Sequence, residues 1–300
     1  LWDFVNVKRP LLWTSTLART LLSRCIPFQF SMEKTMKLKS KLLLALLATS
    51  SAAFAQTAPA APESTLGYNV GVVSEYRYRG IAQTRGDAAL QGGVDYAHSN
   101  GFYAGAWGST IKWIKDNSAT ATATEVKGPL EIDLYAGYKF EAAGLAYDVG
   151  YLRYQYQGNT LEKTGGTVNG AYVNANTDEI YGAVTAGVVT AKYSYSLSDL
   201  FGNKDSKGST YLDLSATLDL GNGYSLVPHV GRQVVKNSTT TSTTGDYTDV
   251  ALTLNKDLGD GLAVSVSAIT TNAKSSFYYS PVNNYATGKN VTVVGVKYSF

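Results

Sequence analysis

Cysteine is nearly missing from this chain. Its one copy, Cys25, lies near the front, so everything after residue 55 is free of thiols. That excludes disulfides, cysteine-ligated zinc and cysteine nucleophiles from the body of the protein. Histidine is almost as scarce. His98 and His229 are far apart in sequence and give a metal ion little to bind. A Ser–His pair with an orienting Asn or Asp would have only these two to draw on, and no G-x-S-x-G motif is present. Each histidine reads as a hydrogen-bonding strand residue. No catalytic residue, cofactor or metal is expected, and the protein reads as no enzyme. Long apolar runs are missing too: none approaches eighteen residues, which excludes a helical membrane span.

What stands at the front is a leader. Met36 to Ala55 reads MKLKSKLLLALLATSSAAFA. Lys37, Lys39 and Lys41 give a positive start, Leu42–Ala48 a short apolar run, and Ala53-Phe54-Ala55 a small-x-small cleavage site. This is the pattern of a secretory signal peptide. Residues 1–35 then have no role, and Met36 is the expected start, with residues 1–35 an upstream translation artefact. Gln56–Thr65 (QTAPAAPEST) reads as an Ala/Pro linker, and residues 66–300 as the folded domain.

Removing the leader reverses the charge. The whole chain has 26 basic and 23 acidic residues. Residues 1–55 hold eight of the first and two of the second, leaving 18 against 21, a net charge of −3. The basic balance of the full chain therefore makes no case for nucleic-acid binding. All 22 tyrosines and all 29 glycines lie beyond Ala55.

From Leu66 onward the chain alternates with period two, the mark of strands with one apolar and one polar face. Twelve segments of this kind are legible. The first, Leu66–Arg79, sets Tyr68, Val70, Val72, Tyr76 and Tyr78 against Glu75, Arg77 and Arg79. The third, Phe102–Trp113, alternates poorly and its faces cannot be assigned. The eighth, Thr210–Leu220, is the cleanest: Leu212, Leu214, Leu218 and Leu220 face away from Asp213, Ser215 and Asp219. Short links such as Ser99-Asn100-Gly101, Gly221-Asn222-Gly223 and Gly259-Asp260-Gly261 alternate with long polar ones. Asn and Gly accept the positive φ of tight hairpins. Five short turns and six long loops are what twelve strands need when both ends lie on the short-turn side. About eleven residues at ~3.3 Å each, tilted about 40°, rise roughly 28 Å, enough for a ~25 Å apolar band. The expected fold is an all-β, antiparallel, up-and-down transmembrane barrel of about twelve strands in the cell outer membrane. A soluble sandwich or β-helix is the alternative.

Apolar faces should meet lipid, so the polar faces should line a lumen. That set is Glu75, Arg77, Arg79, Asp95, Glu131, Asp133, Lys139, Asp148, Lys192, Asp213, Asp219, Asp249 and Lys297, with His229 facing the same way. Mixed charge in a narrow lumen has two readings: a selective polar pore for small polar solutes or ions, or a closed, salt-bridged interior in a structural or adhesive barrel. The last strand, Lys289–Phe300, carries aromatic or aliphatic residues at alternate positions up to Tyr298 and Phe300. This resembles the signal that outer-membrane assembly machinery recognises.

A further stretch, Ser74-Glu75-Tyr76-Arg77-Tyr78-Arg79-Gly80-Ile81-Ala82-Gln83-Thr84, resembles the opening motif of the TorF-type porin-like family of Gram-negative bacteria. Gly101–Gly108 (GFYAGAWG) is similar to that family's second hallmark, and the final aromatic matches as well. The resemblance is good over residues 66–108 and loose beyond. It implies an outer-membrane, porin-like protein without an established substrate, and it assigns no catalytic residue. Arg77 and Arg79, with Glu75, are expected near the loop-side end of the first strand's lumen face, as part of a polar constriction.

Peptide mapping of the expressed protein is expected to recover nothing from Trp2 to Arg24. A peptide from that stretch would overturn the upstream-artefact reading.

Overall fold

A computed structural model describes residues 63–118, 127–164, 172–237 and 244–300. Residues 1–62, which hold the expected upstream segment, signal peptide and most of the expected linker, lie outside the described residues. In chain order the strands are β1 (Ser64–Val73), β2 (Arg77–Tyr78), β3 (Ile81–Ala82), β4 (Ala89–His98), β5 (Phe102–Thr110), β6 (Leu130–Ala142), β7 (Leu145–Gln157), β8 (Thr177–Ala186), β9 (Val189–Ser196), β10 (Thr210–Ala216), β11 (Leu218–Gly221), β12 (Tyr224–Val234), β13 (Tyr247–Gly259), β14 (Leu262–Thr271), β15 (Tyr279–Ser280), β16 (Tyr285–Ala286) and β17 (Val291–Ser299). A short helix, α1 (Trp113–Ser118), follows β5.

The long strands pair in sequence order, each antiparallel to the next, and β1 returns to pair with β17. The result is a closed twelve-stranded barrel in which β10 and β11 are two parts of one strand. Pro228 of β12 explains the division. Proline offers no N–H, and the ladder between this strand and β12 breaks beside it, at Thr217. The seam is closed by residues Asn69–Val73 against Gly295–Ser299, and Tyr68 and Phe300 exchange both backbone hydrogen bonds, at 2.8 and 3.0 Å. The Phe300 ring stacks on Tyr68 and Tyr298.

The expected connections are all present. Five short turns join β4 to β5, β6 to β7, β8 to β9, β11 to β12 and β13 to β14, and six long loops fill the other rim. Asn222-Gly223 and Asp260-Gly261 take positive φ at both residues, the twist that matches a two-residue hairpin. β1 begins at Ser64, two residues inside the stretch read as linker.

Apolar side chains cover the outside. Leu66, Leu90, Leu134, Leu212, Val250 and Val296 are exposed, Leu90 by 57%. So continuous an apolar surface around a closed ring belongs against hydrocarbon. Tyr68, Phe102, Tyr138, Phe140, Tyr298 and Phe300 form an exposed aromatic girdle beside the short turns. In β5 the outward residues are Phe102, Ala104, Ala106 and Gly108, while Tyr103, Trp107 and Ser109 point inward. Small outward residues are why this segment showed no legible alternation.

Two glycines of similar φ but different surroundings test how tightly the β13–β14 turn packs on the end of β17. A Cβ on Gly261 (φ 81°) would lie 2.0 Å from the carbonyl oxygen of Ser299, whereas one on Gly144 (φ 76°) would meet nothing. Both Gly→Ala changes incur backbone strain of about 1 kcal/mol, and overpacking adds about 1–3 kcal/mol at position 261 alone. Urea unfolding of the detergent-folded protein should show Gly261→Ala well below Gly144→Ala. Equal midpoints would contradict a tight contact between this turn and β17.

Candidate functional site: a hairpin across the lumen

The first strand does not run to Arg79. It ends at Val73. Ser74 then caps the adjacent strand, donating its N–H to the Val294 carbonyl (2.8 Å) while its Oγ accepts from the Val294 N–H (3.0 Å). From there the chain enters the lumen as the β2–β3 hairpin. Its turn is Arg79-Gly80, both with positive φ. The expected lumen face of a barrel strand is thus an inserted hairpin, and Tyr76 and Tyr78 lie inside with the charged residues instead of facing lipid.

The root of the hairpin is tied to the neighbouring loop between β14 and β17. Arg77 donates to the carbonyls of Thr287 (2.6 Å), Gly80 (3.0 Å) and Lys289 (3.1 Å), and pairs with Glu75 at 3.1 Å. Glu75 also accepts from the Gly86 N–H and the Tyr285 hydroxyl. Burial and that hydrogen bond push the Tyr285 hydroxyl up to about 12, so at neutral pH it keeps the proton it donates. Tyr76 donates to Glu131 on β6 at 2.6 Å and packs edge-on to Trp107.

The tip reaches across the barrel. Arg79 grips Glu179 of β8 with two parallel hydrogen bonds, at 3.1 and 2.7 Å, and donates to Gln233 of β12 at 2.9 Å. The guanidinium lies 4.3 Å from the Tyr211 ring centroid. The ion pair is buried on both sides. Gly80 is the residue that allows this approach. A Cβ there would lie 2.5 Å from Thr271 Cγ2 and 2.7 Å from Asp249 Cβ. Tyr78 meets Tyr154 hydroxyl to hydroxyl, and Tyr154 donates to Glu179.

Tyr78 and Arg79 stand between two cavities. The one on the loop side, of about 120 Å³, is framed by Trp113, Tyr156, Phe201, Tyr247 and Phe277. The one toward the barrel middle, of about 340 Å³, is lined by Asp133, Lys192, Asp213, His229 and Asp249. Asp133, whose Oδ1 is buried without a hydrogen-bond partner, belongs to this second set. His229 is held from both ends, Nδ1 at 2.9 Å from Asp213 and Nε2 at 2.7 Å from Asp249. Each nitrogen donates only if it carries hydrogen, so this geometry suits the charged imidazolium. Among the described residues no three acidic or histidine side chains converge as a metal site.

The remaining expected lumen residues divide by depth. Asp95 accepts from Tyr135, and Asp148 accepts from Tyr103 at 2.6 Å. Lys139 and Lys192 lie over the rings of Tyr103 and Tyr181. Asp219 and Lys297 are exposed at the short-turn rim, and Asp219 only accepts from its own turn at Gly221. Those two take no part in the constriction.

Sequence reading missed Glu179, Gln233 and Tyr211, and it placed Tyr76 and Tyr78 on the outer face. Many tyrosines lie inside, several of them flat over a glycine on the next strand. Tyr135 covers Gly105, Tyr103 covers Gly137 and Tyr181 covers Gly150, each pair directly in register. A Cβ on any of these glycines would fall within 2.6 Å of the ring or its hydroxyl. The detectable signal was inward glycine opposite tyrosine, a pairing that lets the ring lie along the wall.

No curated protein matches the chain. Among solved structures it is similar to the KdgM porin, at 10% identity and a TM-score of 0.44, covering 79% of this chain and 99% of that one. It is similar also to the NanC porin, at 11% and 0.45 over 79% and 99%. A third is an outer-membrane channel from Pseudomonas putida F1, at 12% and 0.45 over 83% and 99%. A family model described as a bacterial protein of unknown function (Gcw_chp) matches residues 56–300, and the chain belongs to that family.

Proposed function

We propose that the protein is a porin-like channel of the outer membrane, through which small hydrophilic solutes or ions diffuse passively. The observation that carries this reading is the pair of cavities that meet at Tyr78 and Arg79. A barrel filled only for rigidity has no need of open space on both sides of a thin partition. The hairpin tip is then the narrowest section, and its charges act on whatever passes. Export through a cleaved signal peptide and insertion by the assembly machinery, with Tyr298 and Phe300 as its recognition signal, complete the proposal.

A non-conducting structural or adhesive barrel is the second reading. It is favoured by the bidentate Arg79–Glu179 pair, which fastens the partition to the opposite wall. An enzyme is the least supported. Both nitrogens of His229 are occupied by carboxylates, leaving none to activate a nucleophile.

Single-channel recording of the folded protein in a planar bilayer should give discrete, reproducible steps, with a reversal potential under a salt gradient. Silence from inserted, folded protein would favour the structural barrel. Arg79→Ala removes the side chain that crosses the lumen, so conductance should rise and the reversal potential should shift. An unchanged current and potential would remove Arg79 from the pore.

Glu179→Ala leaves the arginine buried and unpaired, a cost of about 3–5 kcal/mol for such a site. Its denaturation midpoint should fall below that of Arg79→Ala, which leaves a carboxylate that Tyr154 still bonds. The reverse order would contradict the pairing.

A further inference from the structure

Passage alone does not explain the chemistry of the loop-side cavity. Its walls are mainly aromatic, and the rings are locked edge to face: Trp113 on Tyr156 at 87°, Tyr154 on Phe201 at 78°, Tyr247 on Tyr278 at 77°. Tyr247 is buried, yet its hydroxyl, like those of Tyr172 and Tyr279, makes no hydrogen bond to the described protein. Trp113 Nε1 is buried without a partner. Four amides complete the lining: Gln83, Asn117, Asn203 and Gln233. Gln83 and Asn203 spend their NH2 groups on the carbonyls of Ile81 and Leu200, at 3.0 and 2.8 Å. That fixes the amide planes and leaves carbonyl oxygens as acceptors.

Charge is what the cavity lacks. Among the described residues no carboxylate lines it, and the one cation there, Arg79, is already held by both oxygens of Glu179. A cationic ligand would meet ring faces but no described carboxylate, and would stand beside the positive charge of Arg79; an anionic one would compete with Glu179 for its only described partner. A bare aromatic would leave the tyrosine hydroxyls and amide oxygens unpaired, which disfavours it. Flat apolar walls ask for a ring with a C–H face. Unspent donors and acceptors ask for hydroxyl groups.

We propose that this vestibule is a binding site for a neutral saccharide. The sugar ring lies against the aromatic walls, and its hydroxyls take the unspent tyrosine and amide groups. The site goes beyond the channel reading and does not depend on it, because it is complete on the loop side of the hairpin.

Titration calorimetry on the detergent-solubilised full chain tests it, with maltotriose, cellotriose, trigalacturonate and benzoate as probes. Saturable heat is expected from at least one of the two neutral trisaccharides, with weaker binding of trigalacturonate and benzoate. Tyr279→Phe and Tyr172→Phe remove hydroxyls that have no hydrogen-bond partner among the described residues, so folding should be unchanged by circular dichroism. Each loss of a neutral hydrogen bond should weaken sugar binding about five-fold. No heat from either neutral sugar, tighter binding of trigalacturonate or benzoate, or full affinity in both phenylalanine variants would each overturn the proposal. Calorimetry reads binding whether or not ions cross. A silent bilayer leaves the site standing, and a failed titration leaves the channel standing.

Discussion

Everything in this molecule depends on closing the ring of backbone hydrogen bonds. Hydrocarbon offers no partner to an open N–H or carbonyl, so a strand that faces lipid must be paired on both edges. The last pairing, β1 with β17, completes that condition. It fixes the period-two alternation around the whole wall, because a register slip of one residue would turn leucines inward and carboxylates toward lipid. It also sets the two loops at the seam side by side, the one after β1 and the one before β17. Their neighbouring positions are what let Arg77 and Ala82 bond to the backbone around Thr287.

The closed ring creates a second constraint, since the polar faces are now turned on one another. Aspartates and glutamates in a narrow space raise each other's energy unless each finds a proton donor or a cation. The wall answers with tyrosines laid over glycines, whose hydroxyls reach Asp95 and Asp148, and with the imidazole between Asp213 and Asp249. The hairpin supplies what the wall lacks. Its arginines pair with Glu75 and Glu179, and its Tyr76 donates to Glu131.

Strand count, the alternation of turns and loops, and the outward face of nearly every strand could be read from the sequence, because lipid enforces a strict pattern on that face. The inward face carries no such pattern. Seen from the sequence, Tyr103 and Tyr138 are the same residue, yet one bonds a lumen aspartate and the other belongs to the girdle. Glu75, Arg77 and Arg79 were legible as inward-facing charges, but not as a hairpin. Their alternation with Tyr76 and Tyr78 suits a β ribbon, and it cannot say whether that ribbon lies in the wall or folds into the lumen. The deciding signal was Gly80 with a positive φ beside Arg79, which ends a strand and begins a turn. Glu179 was invisible for a different reason: nothing in one sequence tells which wall residue lies opposite a loop a hundred positions earlier.

The form of the Arg79 contact bears on how the partition behaves. A buried ion pair is a weak source of net stability, because both groups lose their water. Its return comes from geometry, and here the geometry is nearly complete: two parallel bonds to Glu179, a third to Gln233, and the face of Tyr211. Such a contact specifies one position of the tip more than it strengthens the barrel. The root is held independently, by the Thr287 and Lys289 carbonyls around Arg77 and by Ser74 on β17. Root and tip are thus separate attachments.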